Sequence, residues 1–316
     1  MIKNRSHYFG LLILLLIAVI LPLSLTDYWV HSLTITFFYV IMAATWNLLG
    51  GYTGQFSLSH HAFALLGGYA SVLLIQKTSV PIQVGFVSAG MLTLIISLLM
   101  GILCLRMRGI YLALTTWAFA EILRTYIRMD YEFTGGDRGM SAPLLFKTAN
   151  PLPYYYAFLA YAIVTILVIA LIMRSRIGFF LRAIRNDEIA AQTMGVRTVR
   201  WKVFAFVLAS LFAGIAGAFY AHFMGLISPV LGDFYEMSLI IIFVVIGGMR
   251  SQAGPVVGAI SIRFLAEVLK KWPEVRMIFL TLAVILIMRF FNGGLMEVLR
   301  RGYRRVKKGR TFLFGN

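Results

Sequence analysis

Few side chains in this sequence are of a type that does chemistry. The densest group is Gln55, Ser57, Ser59, His60 and His61, where hydroxyls stand next to imidazoles. A serine hydrolase also needs a carboxylate to orient its histidine and a sharp turn to present its serine, and GGYTGQFSLSHH supplies neither. A metal site is excluded on spacing: adjacent histidines point to different helix faces, and no carboxylate or cysteine follows at ligand distance. Cys104 is the single cysteine and lies in an apolar run, as packing filler. No catalytic residue, metal or cofactor is therefore expected. The glycines among these polar residues point instead to close helix packing, or to an unwound turn that exposes backbone groups along a route through the protein. Gln55, Ser57, Ser59 and His60 are the candidate lining.

A second group is Trp117, Glu121, Arg124 and Arg128, spaced to share one helical stripe. Ionisable groups in an apolar span usually face the bundle interior or water, and are often paired. Two readings stand together, a structural Glu121–Arg124 pair and a polar stripe through Trp117 and Glu121 that lines a pathway. Arg263 and Glu267 form a further candidate pair at i, i+4, with a structural role, and His222 reads as a satisfied polar residue.

The elements that carry these groups are strongly apolar. Of 316 residues 60% are hydrophobic and only 13% charged, with a mean hydropathy of +0.85. Soluble domains are about a quarter charged, so this composition is that of an integral membrane protein. Ten segments have the length and apolarity of spans or incomplete spans, at about 8–25, 31–50, 57–76, 84–106, 109–128, 154–173, 202–226, 236–249, 253–270 and 276–291. The third, eighth and ninth are short or interrupted, which marks them as broken or re-entrant. The expectation is one all-α polytopic integral membrane domain over 1–316, with about ten (8–10) transmembrane or re-entrant helices. The first apolar stretch resembles a signal peptide but continues PLSLTDYWVH without a small-residue cleavage site, so it reads as a retained helix.

The formal net charge of +17 falls in clusters between apolar runs, which argues against nucleic acid. One set of alternate connections holds nineteen lysines and arginines, the opposite set seven. That asymmetry places both termini in the cytoplasm of a multi-pass protein. The basic tail, about 298–316, reads as an anchor touching anionic lipid headgroups. GGYTGQ (50–55) and GGMRSQ (247–252) hint at an internal duplication, each at the predicted cytoplasmic end of a span.

One charged stretch stands out, RAIRNDEIAAQTMG at 182–195, within a cytoplasmic segment of about 178–200. Asp187 and Glu188 favour a helix start near residue 187, and Gly195 a stop. Arg182, Arg185, Asp187, Glu188, Ala190, Ala191 and Gly195 then form a docking element outside the bilayer, with the two alanines as a small-residue face.

Glu188, Ala190, Ala191 and Gly195 resemble the E-A-A-x-x-x-G signature of permease subunits of ATP-binding-cassette importers. Ile189 interrupts the pattern and no Leu-Pro follows, departures associated with the LivM type of branched-chain amino-acid permease. NLLGGYTGQFSLSHHAFALLGGYA, RGIYLALTTWAFAEILR, TGGDRGM, AGAFYAHFMGLISP and VVIGGMRSQAGPVVGA resemble further blocks of that family in order. The resemblance implies a cytoplasmic coupling helix seated on an ATPase. It also implies a second, LivH-like permease subunit, two cytoplasmic ATP-binding subunits and a periplasmic or lipid-anchored substrate-binding protein, all at the bacterial inner membrane. The implied substrates are branched-chain or other apolar amino acids, with urea, short amides or small carboxylates as relatives. No G-x-x-x-x-G-K-[ST] phosphate loop occurs, so ATP would be bound by another chain. The alternative is a self-contained secondary transporter that uses Glu121 as its proton or ion site.

Overall fold

The computed structural model describes residues 16–104, 106–146, 148, 150–249, 251–272, 282, 285, 289 and 294–296. The expected span 276–291 lies almost entirely outside these residues, as does much of the first one, and so does the basic tail. Helices account for nearly all regular structure: α1 Asp27–Asn47, α2 His60–Thr78, α3 Ile82–Cys104, α4 Ile110–Met129, α5 Leu152–Arg174, α6 Arg176–Asn186, α7 Glu188–Thr193, α8 Thr198–Met224, α9 Phe234–Gly247 and α10 Gly254–Val268. Among the described residues the one β element is a two-residue antiparallel ladder, β1 Met140–Ser141 against β2 Leu226–Ile227.

Four of the described runs are long and apolar enough to cross a membrane, namely Asp27–Thr53, Ile82–Cys104, Leu152–Arg174 and Thr198–Met224. At 1.5 Å per residue, α9 and α10 reach only about 21–23 Å, less than a ~30 Å hydrocarbon layer. The segments expected at 236–249 and 253–270 are therefore short helices that do not reach across.

Local chemistry sets several boundaries. Ser175, Asp187 and Asp233 cap α6, α7 and α9 by accepting from backbone N–H groups in the first turn. Gly54 closes the π-helical turn Leu48–Thr53 that extends α1, at φ +75°, a conformation open to a residue without Cβ.

The core forms where α8 runs between α2 and α3. Backbones touch there: a Cβ on Gly217 would lie 1.8 Å from the Ala64 carbonyl oxygen. Lipid offers no hydrophobic force between helices, so close van der Waals contact between small residues holds this seam. Buried Ala205, Ala209, Ala213 and Ala216 extend it along α8.

The bundle has two distinct ends. At one, the turn before α4, the α6–α7 elbow and the segments 48–54 and 251–253 converge, tied by Arg108–Glu188, Arg185–Gly51 and Asn47–Ser251 contacts. At the other lie the β ladder and residues 130–146, with Gln76 donating to the Ser141 carbonyl and Lys77 over the Phe133 ring.

Candidate functional site

The elbow begins at Ser175 and turns at Asp187, whose carboxylate accepts from the backbone N–H of Ile189 and Ala190 at 2.9 and 3.0 Å. Two short helices result, and Gly195 at φ +81° follows the second. Glu188 points inward, bridging Lys202 of α8 at 3.2 Å and Arg108 before α4 at 3.1 Å. The Lys202 side chain is only 4% exposed, so Glu188 compensates a nearly buried charge. Arg185 also turns inward and donates to the Gly51 carbonyl, while its side chain packs against Gly54. The two alanines do not form one face. Ala191, nearly one turn after Glu188, is buried, and Ala190 is exposed. The outward surface includes Arg182, Ala190 and three apolar side chains that composition alone does not single out, Phe179, Ile189 and Met194.

Above the elbow, the chain between α1 and α2 carries the polar group seen in the sequence. After Gly54 it runs without helix to Ser59 and climbs back into the bundle, where the Leu58 N–H reaches Thr116 Oγ1 of α4 at 2.9 Å. Gln55, Ser57, Ser59, His60 and His61 are all buried here. Ser57 and Ser59 bond each other at 3.0 Å, and His60 Nε2 meets Thr45 Oγ1 at 2.8 Å. Both amide atoms of Gln55 and Nδ1 of each histidine have no hydrogen-bond partner among the described residues. A buried polar atom left unpaired costs about 1–3 kcal/mol, so this stretch is built for something other than stability alone. Non-helical backbone at membrane depth is tolerated where it is buried in protein or lines a cavity.

Trp117 and Glu121 sit elsewhere, on the α4 face that meets the start of α9. Arg124 donates twice to Glu121, Nη2 to Oε1 at 2.6 Å and Nε to Oε2 at 3.2 Å. Its Nη1 reaches Asp233 Oδ2 at 3.5 Å, and Trp117 approaches Phe234 with ring centroids 6.2 Å apart. The structural pair expected from spacing is present, and Asp233 joins it. In the sequence Asp233 reads only as a loop charge. The signal that could mark it is an aspartate capping an apolar helix too short to span.

Arg263 and Glu267 do not pair. Glu267 accepts from Tyr28 and from Lys270, while the Arg263 guanidinium lies over the Tyr39 ring at 5.1 Å. Residues on neighbouring elements intercept both partners. His222 is satisfied as expected, with Ser71 on Nε2 at 2.8 Å and the Pro143 carbonyl on Nδ1 at 2.7 Å.

With this geometry in place, comparison decides the family. Residues 28–288 match the family described as branched-chain amino acid transport system / permease component. The chain belongs to that family. It is 30% identical to the high-affinity branched-chain amino acid transport system permease protein LivM of Escherichia coli K12, over 92% of this chain and 75% of the relative. LivM of Salmonella typhimurium is 29% identical over the same shares. The LivH permease protein of Escherichia coli K12 is 24% identical over 73% of this chain and 81% of its own length. No solved structure matches. Within this family of permease components, the matched region takes in the interrupted segment, the α4 stripe and the elbow alike.

Proposed function

We propose that the chain is the membrane permease subunit of an ATP-driven importer that moves branched-chain or other apolar amino acids into the cytoplasm. Urea, short amides and small carboxylates are the related substrates. Separate ATPase subunits would dock on the α6–α7 elbow, a second LivH-like permease would complete the membrane unit, and a binding protein would deliver substrate at the opposite end. Both termini would lie in the cytoplasm of a bacterium, beneath its inner membrane. The chain itself would bind no cofactor and catalyse no covalent step.

The observation that carries this reading is the wiring of the elbow. Its outer face offers Arg182, Ala190, Ile189 and Met194 to a partner, while Glu188 and Arg185 turn inward to α8, α4 and the Gly51 carbonyl. A push on the outside is thus delivered to the helices and to the interrupted segment. Gln55, Ser57, Ser59 and His60 on that segment, with Trp117 and Glu121 on α4, are the proposed route. The secondary-transporter alternative needs a carboxylate free to exchange protons, whereas Glu121 is held by two bonds from Arg124.

The experiment is copurification from native membranes. Glu188→Lys is a poor probe, because a third cation beside Lys202 and Arg108 would disrupt the fold. Met194→Glu and Arg182→Glu change only the exposed face, and they are expected to release the ATPase while the second permease stays bound. Retention of the ATPase by both variants would refute the docking assignment, and ATP-independent uptake by the isolated chain would refute the importer.

A further inference from the structure

Glu121, Arg124 and Asp233 are charged groups gathered partway along α4, where it meets the start of α9. Glu121 is the twelfth residue of α4, about 16 Å along its axis from the elbow end. Asp233 reaches the same level because residues 229–233 turn inward from the β ladder: a Cβ on Gly232 would touch Leu65 of α2 at 2.5 Å and Arg124 of α4 at 3.5 Å. Helix α9 starts there, with its N-terminus and Asp233 cap beside the Arg124 guanidinium. Such half-helix starts, with irregular chain around them, are where transporters place substrate.

The cluster is open. Glu121 and Asp233 side chains keep 39% and 47% of their exposure, and Trp117 and Phe234 beside them keep 40% and 45%. Charges at this depth are not left facing lipid. His61, 2% exposed with an unpartnered Nδ1, lies one helical turn before Leu65, and its ring meets the Gly232 backbone next to Asp233. Two carboxylates against one guanidinium leave a formal charge of −1, and Asp233 is held by Arg124 only at the limit of contact, 3.5 Å. There is spare capacity for a cation, and an aromatic wall that favours one.

Resting on the permease reading above, we propose that Glu121, Arg124 and Asp233 form a subsite for a zwitterionic amino acid in transit. Its ammonium sits between the two carboxylates, its carboxylate exchanges onto Arg124, and its apolar side chain lies against Trp117 and Phe234. Because Arg124 only swaps one carboxylate for another, binding adds no net charge to the site.

The test uses the complete transporter in proteoliposomes, with leucine-loaded binding protein, and compares wild type with Asp233→Asn and Asp233→Glu. Asp233→Asn is expected to lower leucine uptake by about tenfold while ATP hydrolysis stimulated by the loaded binding protein stays within about twofold. Asp233→Glu, which keeps the charge, is expected to recover most of the uptake. Uptake that is unchanged, or that falls in step with hydrolysis, overturns the subsite. Loss of the second permease on copurification assigns this face to a subunit interface and overturns it too. ATP-independent uptake by the wild-type complex strikes at the importer reading instead.

Discussion

Two of the helix interruptions at the elbow end are built differently. Residues 48–59, between α1 and α2, form a long connection that buries the polar side chains of Thr53, Gln55, Ser57 and Ser59, with Gln55 unsatisfied and Arg185 gripping Gly51. Residues 248–253, between α9 and α10, are short, and the helices they join cross at Gly247, Gly254 and Gly258 with almost no gap. The two meet where Asn47 Nδ2 donates to the Ser251 carbonyl at 3.0 Å. GGYTGQ and GGMRSQ therefore lie side by side at one end of the bundle, and their surroundings differ. One is a packed crossing. The other is held by the elbow, and each leaves buried side-chain atoms unpaired among the described residues, those of Gln55 here and Ser251 Oγ at the crossing.

The largest expected effect is at the packed crossing. A Cβ on Gly258 would lie 1.9 Å from the Phe243 carbonyl oxygen, so Gly258→Val must push the α9 and α10 backbones apart. A cost of about 3 kcal/mol or more is expected, read as lost monodisperse protein and a lowered melting temperature in detergent. At the other interruption, Gly54→Ala meets Arg185 Cγ at only 3.3 Å, and its penalty is mainly the left-handed backbone, about 1–2 kcal/mol. Equal destabilisation by the two variants would erase the distinction between them.

Gln55→Met sharpens it further. Replacing an amide with no partner by an apolar side chain is expected to leave thermal stability unchanged or raise it by about 1 kcal/mol. Uptake by the reconstituted transporter is nevertheless expected to fall, and a variant that melts early would mean that Gln55 is a structural residue. The smallest effect lies at the far end of the bundle. The Arg128 guanidinium, bonded at 2.5 and 3.3 Å, holds the Asp137 carboxyl below its usual range. That stabilisation is present above the unfolded carboxylate pKa and disappears as pH falls through the lowered folded value. The pair is exposed, so Asp137→Asn should change the melting temperature only slightly near neutral pH and not at all in strong acid.

Much of this architecture is legible in the sequence. The apolar runs behind α3, α5 and α8 have the length and composition of spans, and Asp187 announces the start of α7 by the ordinary chemistry of an N-cap. Helices that stop short of a full crossing are harder to read. Segments such as α9 carry the same apolar signal as a full span, and only their contacts show how deep they begin. Side-chain direction is harder still. Arg185 reads like one more surface arginine, and its inward turn depends on Gly51 and Gly54, more than a hundred residues away. Ala190 and Ala191 read alike in sequence, but Glu188 anchors to Lys202 and rotates Ala191 inward. Spacing alone pairs Glu267 with Arg263, because i, i+4 separation carries no information about Tyr28 or Tyr39 on α1.

The most direct test of the account separates docking from transmission at the elbow. ATPase copurification, ATP hydrolysis and leucine uptake would be measured together for Met194→Glu and Arg185→Ala in the complete transporter. The account predicts that Met194→Glu releases the ATPase, whereas Arg185→Ala keeps it bound and hydrolysing but cuts uptake, because the grip on Gly51 is gone. If Arg185→Ala instead transports normally, or sheds the ATPase as Met194→Glu does, the elbow does not work through the interrupted segment.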